Sequence, residues 1–263
     1  MAKESYVGID NVARKVKSLY IGVDGVARKV KKAYIGVDGI AREWYSSGKK
    51  LSSCAVGDIV QLPENGTNVE YIVVHQGLPS SMYDESCNGT WLMRKGIYNN
   101  TAWDNTYDND YANSYIHSYM NNDFYGVLGS NVQSAVKQVK IPYRKGAGTS
   151  KTVTSGENGL STKVFLLSMR EVNFTDSNSP VEGATLSYFS NATNSERIAY
   201  LDGTATMWWL RSPQTINGNT RVWSVSETGA KYSNHYVYNN YGLRPAFIMD
   251  GDTLIDPETN TIL

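Results

Sequence analysis

Trp208-Trp209-Leu210-Arg211-Ser212-Pro213 and Tyr241-Gly242-Leu243-Arg244-Pro245-Ala246-Phe247 are two apolar segments punctuated by arginine and proline. Between them lies Tyr232-Ser233-Asn234-His235-Tyr236-Val237-Tyr238-Asn239-Asn240-Tyr241, built almost entirely of Tyr, Asn, Ser and His. A core strand would carry aliphatic residues at its inward positions, and this run does not. A solvated tail would not carry so many rings. Tyr, Ser and Asn together make a contact surface: Tyr gives a large amphipathic contact at low entropy cost, and Ser and Asn give adaptable hydrogen bonds. The expectation is a binding surface held between two framework strands. Its contact residues are Asn217, Asn219, Ser224, Ser226, Tyr232, Asn234, His235, Tyr236, Tyr238, Asn239 and Asn240, against the plainer reading of a polar loop with a few exposed rings. Trp208, Trp209 and Trp223 are expected in the core, because Trp is highly buried on average. Arg211 and Arg244, close to prolines at strand ends, are expected to fix the anchors of the loop.

Outward from this region, the N-terminal end is of another kind. Tyr6-Val-Gly-Ile-Asp10-Asn-Val-Ala-Arg14, Tyr20-Ile-Gly-Val-Asp24-Gly-Val-Ala-Arg28 and Tyr34-Ile-Gly-Val-Asp38-Gly-Ile-Ala-Arg42 repeat with a period of 14. Asp-Gly between short β-branched runs predicts a hairpin with a type I′ turn, which needs positive φ at both central residues; Asp10-Asn11 serves the same purpose less well. An even period keeps each side chain on the same face in every repeat. Such a ribbon buries little by itself, so residues 1–47 are expected to attach or oligomerise the protein. Residues 48–263 then form the ligand-binding domain, with its variable part at about 214–240.

Within that domain, Val56–Leu62, Tyr71–His75, Thr90–Arg94, Val164–Leu167, Thr206–Arg211, Arg221–Val225 and Gly242–Met249 read as strands. Asp110 is expected to cap a helix carrying Tyr111, Tyr115 and Tyr119 on one stripe. Ser130 is expected to start a second helix with Val132, Ala135, Val136 and Val139 turned inward. Short strands with two helices near the front predict an α+β domain.

The 25 basic and 25 acidic residues cancel, which gives no reason to expect a nucleic-acid partner. Residues 1–50 hold 11 Lys/Arg against 5 Asp/Glu, net +6, and the remainder carries net −6. No apolar run approaches the roughly 20 residues of a membrane span, so no membrane insertion is expected. Met-Ala-Lys-Glu-Ser has no signal-peptide pattern, and synthesis in a bacterial cytoplasm is expected. Cys54 and Cys87 fit neither a disulfide framework nor a metal motif. His75, His117 and His235 lack Cys or carboxylate neighbours at ligand spacing. Asp104-Asn105-Thr106-Tyr107-Asp108-Asn109-Asp110 alternates oxygen ligands but lacks the closing Glu of a calcium loop. No Gly-x-Ser-x-Gly elbow occurs. Neither a cofactor nor an enzymatic activity is expected.

Tyr71-Ile-Val-Val-His75, Leu78-Pro79-Ser80-Ser81, Gly89-Thr-Trp-Leu-Met-Arg-Lys95, Asp110–Tyr119, Lys137-Gln-Val-Lys-Ile-Pro142, Trp208–Pro213 and Gly242–Phe247 together resemble a family of phage and prophage tail-associated proteins of gut Firmicutes. Members of that family resemble the variable proteins of diversity-generating retroelements, and the likeness spans roughly residues 50–250. The 14-residue repeats resemble N-terminal segments of phage structural proteins. The resemblance implies a C-type-lectin-like fold, shared with formylglycine-generating enzymes, whose C-terminal region presents a ligand surface. In such systems mutagenesis of adenines diversifies Asn codons, and residues 232–241 hold only amino acids reachable that way. The implied function is receptor binding or adhesion on a virion, through a host cell-surface protein or glycan. A phage tail or virion component and a homotrimeric assembly are the implied partners. The alternatives are an enzyme of the formylglycine-generating type and an inert structural virion protein. The enzymatic branch needs reactive cysteines, and Cys54 and Cys87 stand far from the C-terminal region.

Overall fold

The computed structural model describes residues 6–9, 12–16, 18–216 and 218–263. Two five-stranded sheets form its centre. The first has the order Val164–Phe165, Ala246–Met249, Gly89–Arg94, Thr67–Gly77, Ile59–Glu64, with every pair antiparallel. The second has the order Asn100–Ala102, Asn240–Gly242, Trp208–Pro213, Arg221–Val225, Lys231–Tyr236. Its pairs are antiparallel except where Trp208 meets Gly242 in parallel. Lys231–Tyr236 is thus an edge strand. Trp91, Trp103, Trp208, Trp209, Phe165, Phe247 and Ile248 are fully buried in one contiguous core. Trp223 joins them, so all three C-terminal tryptophans are core residues.

The α+β, C-type-lectin-like expectation is overturned. The chain is mostly β, with 40% of residues in strands and 14% in helices, and its one substantial helix has 13 residues. Asp110 precedes only a single 3₁₀ turn, Tyr111–Asn113, and makes no side-chain cap bond. The helix begins at Tyr115, where the Ser114 hydroxyl accepts from His117 N at 3.3 Å and the Asp104 carboxylate accepts from Tyr115 N at 3.0 Å. The tyrosine stripe is therefore divided: Tyr111 is buried, while Tyr115 is exposed and stacks on Tyr119. The second helix is six residues long, Ser130–Ala135, with Gly129 at its cap position, and Val139 belongs to the strand Val139–Ile141. The helices are minor beside the two sheets, yet Ile116, Met120, Phe124 and Val132 still join the core.

The repeats form three separate hairpins: Tyr6–Ile9 with Val12–Lys15, Tyr20–Val23 with Val26–Lys29, and Lys32–Val37 with Ile40–Ser46. Asp24 and Gly25 have φ of 51° and 75°, and Asp38 and Gly39 have 52° and 75°. These are the positive values that a type I′ turn demands and that Gly adopts without strain. The Asp10-Asn11 turn lies outside the described residues. Just past the expected boundary at residue 47, Lys49–Lys50 forms a short ladder with Leu254–Ile255, both within residues 48–263.

Candidate binding surface

The surface grows from the hairpin of Arg221–Val225 and Lys231–Tyr236. Its inner strand is tied to the core through Val222, Trp223 and Val225, all buried. Val237, fully buried, anchors the far end: its N–H donates to Thr220 O at 3.0 Å, and its carbonyl accepts from Trp103 N and Asp104 N at 2.8 and 2.9 Å. Val237 is buried in the turn that follows the strand, while the residues on either side of it are exposed. Tyr236 and Tyr238 stand in solvent, their rings stacked at 5.2 Å with an interplanar angle of 11°. Asn239 closes the turn. Its side-chain oxygen accepts from Tyr236 N at 3.0 Å while its own N–H donates to Tyr236 O at 3.0 Å.

Two further residues extend the stack. The Arg221 guanidinium carbon lies 4.8 Å from the Tyr236 ring centroid, and Arg221 Nη2 donates to the Tyr236 hydroxyl at 3.0 Å. On the other side Tyr107, 58% exposed, packs against Tyr238 at 4.9 Å. Arg221, Tyr236, Tyr238 and Tyr107 form one continuous row of guanidinium and rings. Offset rings and a cation over a ring attract each other beyond simple burial, so the row is pre-ordered before any ligand arrives.

Tyr107 is displayed by the Asp-rich segment, whose role is structural bracing. Burial opposes ionisation of the Asp104 carboxylate, yet donors from Thr106, Tyr115 and Asp108 outweigh it and hold the group below the usual carboxylate range. Asn109, fully buried, reaches across to the hairpin and donates to Gln214 O and Arg221 O at 3.4 and 3.2 Å. Its side-chain oxygen accepts from Arg144 Nη2 at 2.6 Å and Gly148 N at 3.1 Å. Among the described residues no group of three or more His, Cys, Asp and Glu could hold a metal. Tyr107, Asn109 and Arg221 were absent from the expected set. Only the Asn/Asp density of 104–110 marked that segment, and nothing local linked it to residue 238.

The expected contact residues separate into two groups. Tyr232, Tyr236, Tyr238, Asn219 and Asn240 are exposed, and Asn239 is half-buried with its side chain spent on the turn. Ser224, 0% exposed, and Ser226 face inward; the Ser226 hydroxyl shares a hydrogen bond with the Thr228 hydroxyl and accepts from Ala230 N. These two serines are corrected from contact residues to framework. His235 is also buried, its ring set between Tyr232 at 4.6 Å and Tyr241 at 4.1 Å, with Trp209 at its edge. Burial pulls the His235 imidazole below its ordinary value, so it is a neutral aromatic spacer that props Tyr232 outward. Asn217 and the side chain of Asn234 lie outside the described residues.

Both framework arginines are buried, and their side-chain hydrogen bonds run to the core rather than to residues 214–240. Arg211 is fully buried and donates to both oxygens of Glu171, at 2.6 and 2.7 Å. Arg244 donates to Arg94 O and Lys95 O and lies 4.9 Å from the Trp208 ring centroid.

Reactive groups elsewhere have other employment. Burial pushes the Cys87 thiol up to about 12, and it donates to Lys140 O at 3.3 Å; Cys54 is also buried. A thiol of that pKa supplies almost no thiolate near neutrality. His75 Nδ1 lies 2.8 Å from the Ser187 hydroxyl, a pairing the sequence separates by 112 positions. The same nitrogen also accepts from Ser187 N at 3.3 Å. Among the described residues no carboxylate hydrogen-bonds the ring, so the third member of a nucleophilic triad is missing.

A protein-family model with the description "Domain of unknown function (DUF6273)" matches residues 88–251. No curated protein and no solved structure matches the chain. The matched segment contains every expected contact residue, the Asp104–Asp110 brace and all strands of the two sheets except Ile59–Glu64 and Thr67–Gly77. Since it covers well over half of the sequence, the chain belongs to the DUF6273 family.

Proposed function

We propose that this protein is a non-enzymatic recognition protein. Its Tyr107–Tyr238–Tyr236–Arg221 row, with Tyr232, Asn219 and Asn240 around it, binds a cell-surface protein or glycan. The observation that carries this reading is the contrast within one hairpin. Trp223, Val225 and Val237 are buried, while Tyr232, Tyr236 and Tyr238 alternate with them in solvent, held by turn bonds and ring stacking instead of by the core. Exposed aromatic residues on a braced backbone are costly to keep unless they meet a partner, and rigid Tyr anchors give affinity without a large ordering penalty. The resemblance to phage tail-associated and diversified proteins supports placing it on a virion. Exposed positions 219, 232, 236, 238 and 240 can then vary while the buried framework stays fixed. The N-terminal hairpins attach or oligomerise it, with a homotrimer as the proposed assembly.

The test is binding of fluorescently labelled full-length protein to a panel of intact bacteria. The double variant Tyr236→Ala/Tyr238→Ala should lose at least about tenfold in affinity, the loss of two hot-spot rings, at an unchanged melting temperature. Equal binding by both proteins to every strain would sink the reading and leave an inert structural virion protein.

A further inference from the structure

Next to the edge strand Lys231–Tyr236 is a cavity of about 300 Å³ whose wall includes Met169, Arg170, Phe174, Asp176, Pro180 and Val181. Lys231 joins the two features, since its Nζ donates to Asp176 Oδ2 at 2.9 Å and to Thr175 O at 2.8 Å. The floor is rigid for a reason that can be traced. Ser168 and Glu171 cap each other, Ser168 N donating to Glu171 Oε2 at 2.8 Å and Glu171 N to Ser168 Oγ at 3.1 Å. Glu171 is clamped in turn by the buried Arg211. Phe174 N donates to Met169 O at 2.8 Å, which closes the turn and sets the two apolar residues beside each other.

Arg170 sits on this turn with its backbone fixed, and among the described residues its guanidinium makes no hydrogen bond and no ion pair. Asp176 opposite is neutralised by Lys231 and accepts from Asn178 N at 2.9 Å. Behind Phe174 the Arg197 guanidinium lies 4.5 Å from the ring centroid and donates only to the carbonyls of Val172, Ala192 and Thr193. With Asp176 paired to Lys231, Arg170 is the unpaired charge of the pocket lining. A sugar would need several free hydroxyl or amide partners, and the wall is mainly apolar. A phosphate would call for a nest of N–H donors. One guanidinium fork suits the two oxygens of a carboxylate, and a volume at the small end of ligand pockets suits one apolar side chain.

We propose that this cavity binds an apolar carboxylate, with Arg170 holding the carboxylate and Met169, Phe174, Pro180 and Val181 enclosing the hydrocarbon body. The free C-terminus of a peptide and a small acylated amino acid share that chemistry. The inference does not rest on the recognition role of the tyrosine row.

The test is calorimetric titration of the full-length protein with N-acetyl-leucine, N-acetyl-leucinamide, and an alanine hexapeptide ending in leucine with a free or an amidated terminus. The free acids should bind, and each amide should bind at least about tenfold more weakly, because the charge-assisted fork is lost. Arg170→Gln should weaken the acids by a similar factor, and Arg170→Lys by less. The hydrogen bonds Arg170 makes in the fold are accepted by its carbonyl, which Arg170→Gln keeps, so the melting temperature is expected to hold. A hexapeptide tighter than N-acetyl-leucine identifies a peptide terminus as the occupant; equal affinities identify the small acid. Acids and amides binding alike, no binding by either, or acid binding unchanged in Arg170→Gln each overturn the proposal. Tyr236→Ala/Tyr238→Ala should leave N-acetyl-leucine binding unchanged, which separates this site from the tyrosine row.

Discussion

The guanidinium of Arg211 donates to both oxygens of Glu171, to Leu166 O at 2.8 Å and to Glu182 O at 3.1 Å, and Arg211, Glu171 and Glu182 are all fully buried. Tyr83 adds its hydroxyl to Glu171 at 2.8 Å. A buried pair so fully satisfied is tolerated, but removing one partner strands the other charge. Glu171→Ala should destabilise the protein by about 3–5 kcal/mol in urea denaturation. It should also loosen the Ser168–Phe174 turn, whose capping bond is lost with the carboxylate. His235 carries a second residue-scale prediction. Burial lowers the pKa of His235, and burial does the same to His75 and His117. The folded state then binds fewer protons than the unfolded chain, so stability is full above the ordinary histidine value near 6.5 and declines as pH falls through it. His235→Phe keeps the ring packing with Tyr232 and Tyr241 and removes a buried Nε2 that has no hydrogen-bond partner. Urea midpoints at about pH 7.5 and pH 5 should differ less in His235→Phe than in the parent chain; an identical pH slope would count against the assignment.

At the scale of elements, the binding hairpin is held less by its own ladder than by the segment laid across its base. Asn109 accepts from Arg144 and Gly148 and donates to Gln214 O and Arg221 O, so one amide ties four places together. Asn109→Ala leaves those buried groups short of partners, at about 1–3 kcal/mol for each group that water cannot reach. Amide exchange should accelerate over residues 220–237 and hardly at all in Gly89–Arg94. Uniform acceleration would mean that the brace acts on the whole core instead. Parts of this arrangement were legible beforehand. Asp24-Gly25 and Asp38-Gly39 fix their turns locally, through a φ requirement that few other residues meet. Trp208, Trp209 and Trp223 were readable as core because size and apolarity decide burial with little help from context. The orientation of Ser224, Ser226 and His235 was not legible. A register shift between Val222 and Ser224 breaks the simple alternation along the hairpin, and one extra residue turns every following side chain to the other face. The first helix start was missed for a related reason: Asp110 has capping chemistry, but Asp104 and Ser114 took the free N–H groups. The second helix does start at Ser130, and only its length was overestimated.

For the whole molecule, the contrast is between the sheet-packed body and the three hairpins before it. In the second hairpin Ile21, Val23 and Val26 share one face with Arg28, because cross-strand partners point the same way. In the third, Ile35, Val37 and Ile40 share one face with Arg42. Ile21, Ile35 and Ile40 are each more than half exposed, and Tyr20 and Tyr34 are equally exposed on the opposite faces. A two-stranded ribbon with both faces in water is marginal by itself, and a contiguous apolar stripe of this kind marks an interaction surface. The period of 14 gives every copy of the chain the same stripe at the same spacing, so other copies are partners whose pattern matches it without further design. Several weak sites on one particle then add by avidity, which suits recognition through a modest tyrosine surface. Full-length protein should sediment as a trimer at micromolar concentration. Ile21→Ser together with Ile35→Ser, both on exposed positions of the hairpins, should shift it toward monomer while leaving the melting of the body in place. A monomeric parent chain would remove self-association, and the repeats would then be left with attachment to a different protein.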